Sequence, residues 1–401
     1  MEPKVKFKGF EGEWSKVKLC SISKKVTTRN MDMKYTTTLT NSAEHGIIDQ
    51  LAFFDHQVSN NNNISGYYVV ENGDFVYNPR ISALAPVGPI NQSQIGYTGV
   101  MSPLYYVFRV DGVDTDYLSY YFKTTLWHQY LKDVGNSGAR FDRLAITDGD
   151  FQEMPISLPT NREEQHAIAS YFRTLDAKLQ ASAKKVESLK KLKSASLVAM
   201  FPQNGESMPK VRFKGFEGEW DKQSASDLFL TIDERNRPEL PVLSACQDVR
   251  GMIPRDKIGF NVSHDTSNEV TYKRVQPGQF VIHLRSFQGG FAHSSYDGII
   301  SPAYTVFDFK NKEQHDDYYW KIVFMSRSFI ERLRLITYGI RDGRSISFNE
   351  FKELSFLFPS KEEQQAIASF FRTLNRKIAL ETARLEKLKQ IKLACLDKMF
   401  V

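Results

Sequence analysis

Residues 3–14 read PKVKFKGFEGEW and residues 209–220 read PKVRFKGFEGEW, with Lys6 against Arg212 as the only difference. A block of this length repeated with one substitution marks a duplication, and a duplication decides the architecture before any local propensity does. A second pair closes each half. Glu163 to Phe201 (EEQHAIASYFRTLDAKLQ and onward) and Glu362 to Phe400 (EEQQAIASFFRTLNRKIA and onward) align without a gap. Between these anchors the halves diverge but keep landmarks in order. Gly73-Asp74-Phe75-Val76 answers Gly278-Gln279-Phe280-Val281, SPLYYVF from Ser102 answers SPAYTVF from Ser301, and Gly138-Ala139-Arg140 answers Gly339-Ile340-Arg341. The expected organisation is a domain over 1–158, a helix over 159–202, a second domain over 203–358 and a second helix over 359–401. The fold class is α+β, two domains of mixed α/β structure each followed by one long helix.

Composition agrees. The chain has 401 residues, 41% hydrophobic and 25% charged, which suits globular domains and not wholesale disorder. Its formal net charge of +6 is compatible with a polyanionic partner without requiring one. Cys20, Cys246 and Cys395 lie far apart with no CxxC or His-rich neighbour, so neither a disulfide framework nor a zinc site is suggested. The opening MEPKVKFKGFEGEW is too charged for a signal peptide, and no run of about 18 apolar residues occurs. The expected location is the cytoplasm, with no membrane partner.

Each helix should begin after a Pro, at Thr160 with Glu163 and at Ser360 with Glu363, where hydroxyl and carboxylate satisfy the first free N–H groups. No Pro or Gly interrupts the following stretch of about 40 residues, a rod of roughly 60 Å. Leu175, Leu179, Ser182, Val186, Leu189, Lys193, Ser196 and Met200 keep a strict 4-3 spacing. So do Leu374, Ile378, Glu381, Leu385, Leu388, Lys392, Cys395 and Met399. That is a coiled-coil seam, and its polar positions weaken packing but specify register. Antiparallel pairing with pseudo-two-fold symmetry, centred near Val186 and Leu189, would set Lys193 against Glu381 and Lys392 against Ser182. The alternative is that each helix packs only on its own domain, with its lysines reaching to water.

Catalytic signatures are missing. The nearest approach to a methyltransferase NPPY motif is Asn78-Pro79-Arg80, broken by its arginine, and no GxxxxGK[ST] phosphate loop occurs. Asp342 with Glu350-Phe351-Lys352 imitates a nuclease carboxylate pair and lysine. The other half holds Asp142 and Asp150-Phe151-Gln152 without the lysine, so a surface helix start is the better reading. No catalytic residue and no metal ligand is assigned.

Arg80 and Arg285 stand five residues beyond matching Phe-Val pairs, and Arg140 with Arg143 matches Arg341 with Arg344 in glycine-bearing loops. Repeated loop arginines suit phosphate or guanine contacts, and equally suit structural ion pairs. If the halves read different sequences, shared residues position phosphates and the differing segments specify. Those segments are Lys24 to Asn63, Ile81 to Gln94, Asp233 to Asn268 and Ser286 to Ser295. Within them Lys24, Lys25, Arg29, Lys34, Arg235 and Arg237 are further candidates for DNA contact. Asn61, Asn62 and Asn63 fit adenine edges but also a flexible loop.

Two divergent domains, each opened by P-x-V-[KR]-F-x-G-F-x-G-x-W and followed by a [LF]-P-x-x-x-EQ-x-x-I-A-x-x-[FL] helix, resemble the DNA-specificity subunit of type I restriction-modification systems. The match spans essentially the whole chain, and the EEQxAIA openings at Glu163 to Ala169 and Glu362 to Ala368 carry most of it. The resemblance implies two target-recognition domains, each reading half of a bipartite site in double-stranded DNA, with the helices as an antiparallel spacer that fixes the gap. It also implies that catalysis belongs to partners: two modification subunits using S-adenosylmethionine, and restriction subunits using ATP and Mg²⁺. Exposed apolar positions off the seam, such as Ile168, Phe172, Ile367 and Phe371, would be docking points for these partners or else be buried against the neighbouring domain. The near-identical openings suggest recombination between gene copies. The rival readings are a stand-alone nuclease and a scaffold joining two peptide-binding domains.

Overall fold

The computed structural model describes residues 2–53, 61–137, 142–203, 205–246, 251–257, 266–283, 290–336 and 347–401. It divides into two compact units, one comprising Met1–Ala183 with Ala383–Val401 and the other Lys184–Thr382. Each compact unit therefore joins one domain to parts of both long helices. Each long helix is shared, its first half in the unit of its own repeat and its second half in the other.

The helices span Arg162–Ala199 and Lys361–Lys398, each of 38 residues. Their seam positions are buried or half-buried: Leu175, Leu179, Val186, Leu189 and Lys193 in the first, Leu374, Ile378, Glu381, Leu385 and Leu388 in the second. Most residues between them face water, as a two-helix seam requires. The pairing is antiparallel, but displaced by about one turn of each helix from the expected register. In the first unit Lys392 meets Asp176 at 2.5 Å and the Tyr171 hydroxyl lies 3.4 Å from the Cys395 sulfur. In the second, Lys185 meets Glu381 at 3.2 Å. The pairing thus centres near Ala183 and Thr382, where the units divide, and not at Val186 and Leu189. Ser182 and Glu381, polar positions of the seam, are both buried. Lys193 instead lies near Lys321, an ammonium held below the ordinary lysine value by burial, with Lys193 and Arg372 adding like charge.

The cap of the first helix also differs. Asn161, one residue after Thr160, accepts the Glu163 N–H at 2.8 Å, whereas Ser360 accepts the Glu363 N–H at 3.5 Å as expected but without the return bond, because the Glu363 carboxylate turns to Arg212. Pro159 is followed by one residue more than Pro359 before the Glu-Gln pair, so Asn161 occupies the place of Ser360.

In the first unit a four-stranded antiparallel sheet runs Ser23–Lys25, Tyr106–Val110, Phe75–Tyr77, Ile90–Gln92, beside smaller two-stranded pairs. In the second the sheet has six strands, in the order Phe229–Ile232, Thr305–Phe309, Phe280–Ile282, Phe291–Ser294, Gly251–Pro254, Leu243–Cys246. One of its pairings, between Gly251–Pro254 and Phe291–Ser294, is parallel. The frame is nevertheless common: Phe75 faces Phe108 in one sheet and Phe280 faces Phe307 in the other, with ring centroids 5.4 Å apart in both.

Each core closes on the end of the opposite repeat's helix. Phe400 packs against Trp14, Tyr117 and Phe172, and Phe201 against Trp220, Tyr319 and Phe371. Burying each such ring stabilises by roughly 1.5–3 kcal/mol. Backbone bonds fix the same junctions: Val5 N–H donates to Lys398 O at 3.0 Å, and Val211 N–H to Ala199 O at 2.9 Å. Ile168, Phe172, Ile367 and Phe371 are all buried in these cores. They are unavailable as docking points, because the first turns of each helix lie on the domain that precedes them.

Candidate nucleic-acid interface

The opening block and the Glu-Gln pair of the helix, far apart in sequence, are one structural device. Glu164 is almost fully buried, accepts from the Trp14 indole at 3.3 Å and lies 3.9 Å from the Lys6 ammonium. Glu363, equally buried, receives the Arg212 guanidinium in a fork at 2.9 and 2.6 Å. Gln165 and Gln364 each accept a backbone N–H at 3.0 Å, from Asp114 and Asp316, and donate at 2.9 Å to Pro159 and Pro359 carbonyls. A buried carboxylate is tolerated only when paired and hydrogen-bonded, which explains why Lys or Arg recurs in the block and Glu-Gln in the helix. Sequence reading saw both motifs without seeing that they touch.

The first unit also brings two of the repeated arginines together. Arg80 and Arg143, chosen from separate loops, form an antiparallel bridge. It is closed by Ile81 N–H donating to Asp142 O at 3.0 Å and Leu144 N–H to Pro79 O at 2.9 Å. Directly opposed residues of such a bridge present their side chains to the same face. The base beneath Arg80 is rigid. Buried Asn41 donates to Val76 O at 2.7 Å, Asn78 donates to Asn41 O at 2.9 Å, and Asn78 Oδ1 accepts the Arg80 N–H at 3.0 Å.

Both arginines border a cavity of about 350 Å³ with Asn41, Asn78 and Tyr105. Arg143 also borders a second cavity, of about 450 Å³, walled by Tyr77, Leu104, Tyr106, Asp148 and Phe151. Arg80 is 3.4 Å from Asp142, but both groups are well exposed, so the pair is worth about 0–1 kcal/mol and yields readily to a phosphate. Arg143 makes no ion pair among the described residues.

The remaining candidates separate by their partners. Lys24 is exposed on the edge strand and Lys34 stands over the Tyr35 ring. Lys25 is ion-paired with Asp148 and lies over Tyr106 at 5.1 Å. Arg29 donates to Gly66 O at 2.6 Å while lying over Tyr68. In the second unit Arg235 forks onto Asp233 and Arg237 meets Glu239 at 2.9 Å. Local carboxylates thus occupy these two, the alternative that sequence left open. The side chain that holds this region together was missed: Arg274 bridges Asp297 at 2.7 Å and Glu234 at 2.9 Å. Its partners lie too far along the chain for spacing to reveal them. Arg140, Arg285, Arg341 and Arg344 lie outside the described residues.

The nuclease-like carboxylate has a structural task. Glu350 and Ser347 form a reciprocal capping box, with Ser347 N–H donating to Glu350 at 2.8 Å and Glu350 N–H to the Ser347 hydroxyl at 3.1 Å. In the other unit Thr147 caps the equivalent helix from one side only, accepting the Asp150 N–H at 3.1 Å while its hydroxyl donates to the Asp150 carboxylate at 2.6 Å. Asp342 lies outside the described residues. Among those described, no cluster of three His, Cys, Asp or Glu suits a metal, and no helix is long and apolar enough to cross a membrane.

The model of the type I restriction modification DNA specificity domain matches twice, over 13–191 and 219–390. Among solved structures, the S subunit of a type I restriction-modification system from M. genitalium aligns over 100% of this chain and 99% of its own, at 15% identity and a TM-score of 0.57. A chain from a structure on complex assembly and conformational transition of the type I R-M system covers 97% and 98%, at 15% identity and 0.50. These likenesses are of fold. No curated protein gives a significant match.

Proposed function

The chain belongs to the type I restriction-modification DNA specificity family, and on that footing we propose that it is the subunit that chooses the DNA sequence on which such a complex acts. Each unit reads one half of a bipartite duplex target, and the length of the paired helices sets the gap between half-sites. Methylation and cleavage are the work of partners: two modification subunits that use S-adenosylmethionine and restriction subunits that use ATP and Mg²⁺, in the cytoplasm. The specificity subunit itself positions and does no chemistry.

The observation that carries this reading is the paired Arg80 and Arg143 on a rigid asparagine-supported base, beside a cavity whose walls differ from those of the other unit. Shared arginines fit phosphate contacts, which orient a reader without specifying sequence. The Glu350 cap supports the non-catalytic part, since a carboxylate committed to a helix start is a poor metal ligand. The test is binding to duplex DNA against salt concentration. Arg80→Ala and Arg143→Ala should weaken binding on all sequences and lower the slope of log K against log salt by roughly one unit per lost phosphate contact. Arg285→Ala should behave likewise. A changed methylation motif at unchanged slope would make these arginines base readers instead. Mg²⁺-dependent cutting by the purified chain would favour a nuclease.

A further inference from the structure

The strand Tyr106–Val110 of the first unit and Thr305–Phe309 of the second hold the same place in the same register, so their side chains can be compared one for one. The rings under both are identical in kind: Phe75, Phe108 and Phe151 against Phe280, Phe307 and Phe351, all buried. Rings common to both units cannot make two readers differ. Around the larger cavity, however, Leu104, Tyr106 and Asp148 stand where the second unit has Ala303, Thr305 and Phe348. The Phe348 ring lies 5.9 Å from Phe307 and 5.8 Å from Phe351, so one unit places an aromatic ring where the other presents a carboxylate.

Each of the three has chemistry that a base edge can use. Leu104 is 59% exposed at the rim, an apolar surface of the kind that meets a thymine methyl. Asp148, ion-paired with Lys25 at the surface, is an acceptor of the kind that takes a cytosine amino group. The Tyr106 hydroxyl lies at the cavity wall and makes no geometrically satisfactory hydrogen bond, although the Gln152 side chain acts on it electrostatically. Burial pushes this phenol up to about 12, so it keeps its proton at neutral pH and can donate. Arg143 shares the cavity and links it to the phosphate-facing pair.

We infer that Leu104, Tyr106 and Asp148 form the sequence-reading part of the first unit and contact a base of the DNA that Arg80 and Arg143 hold by its phosphates. All three lie outside the four divergent segments that sequence comparison proposes as the source of specificity. The inference rests on the DNA-recognition reading and names the residues that would execute it.

The test is methylated-adenine mapping in cells that express the chain with the modification subunit of its system. It compares wild type with Leu104→Ala, Tyr106→Phe and Asp148→Asn, three changes that leave the aromatic core in place. The expected result is a motif relaxed or altered in one half only, with discrimination at the affected position reduced roughly 5- to 150-fold and the salt slope of binding unchanged. A wild-type motif retained by all three variants would overturn the inference while leaving the DNA-recognition reading intact. So would a uniform loss of methylation accompanied by a reduced salt slope. A wild-type chain that confers no motif removes both.

Discussion

The two units share seven aromatic core positions and present different surfaces above them. Trp14, Phe75, Phe108, Tyr117, Phe151, Phe172 and Phe400 in one correspond to Trp220, Phe280, Phe307, Tyr319, Phe351, Phe371 and Phe201 in the other, all of them buried. Over that interior, Lys25 and Asp148 pair beside Tyr106 in the first unit, whereas the second offers Thr305 and Phe348. The difference shows where duplication leaves freedom. Each unit must receive a helix end contributed by the other repeat, so positions at the junction are held to one solution, while positions facing outward are not.

The comparison can be broken most forcefully at the shared rings. Phe400→Ala should destabilise the first unit and Phe201→Ala the second by about 3–5 kcal/mol each, read by hydrogen exchange resolved along the chain. Protection lost in only the mutated helix, with its host domain unaffected, would show that the junction is not shared. The carboxylates should separate the units next. Glu363→Gln, which breaks a forked Arg212 pair, should cost about 2–3 kcal/mol, and Glu164→Gln, facing a more distant Lys6, about 1 kcal/mol. Equal losses in denaturant titration would remove this asymmetry.

Acid should also distinguish the units. His315 is buried against Phe309 and its pKa is depressed from 6.5 to about 4, chiefly by desolvation. In the unfolded chain the imidazole binds a proton near its ordinary value, so the second unit loses stability as pH falls from about 6.5 toward 4 and none further below that. At about 1.4 kcal/mol per pH unit the loss should be at most about 3 kcal/mol. His315→Val, which gives the second unit the equivalent of buried Val113, should flatten this part of the pH profile. An unchanged profile would contradict it. The smallest effect expected is at the caps: Asn161→Ala should cost about 1 kcal/mol and Ser360→Ala less, since the Asn161 bond is shorter.

Much of this molecule was legible before its structure. The duplication, both long helices and the seam from Leu175 and Leu374 onward follow from repeat and spacing, because a 4-3 pattern uninterrupted by Pro or Gly marks one continuous apolar stripe on a long helix. Arg80 and Arg143 were chosen for being repeated, and they prove to be neighbours. What sequence did not reveal has a common physical character. The register of the helices is marked by Lys185 with Glu381 and Lys392 with Asp176, pairings between segments whose relative offset no local pattern records. Arg274 with Asp297 and Glu234, and Glu164 with Trp14, are likewise contacts made by the fold. The choice of Asn161 over Thr160 as cap turned on one residue of extra length after Pro159.

The central claim, that this chain chooses the DNA sequence, is tested most directly by mapping methylated adenines genome-wide in cells with and without it. The account predicts one two-part motif, present only when the chain is present, with one half changed by substitutions in the first unit alone. A motif that persists in its absence, or an uninterrupted motif altered throughout by those substitutions, would contradict it.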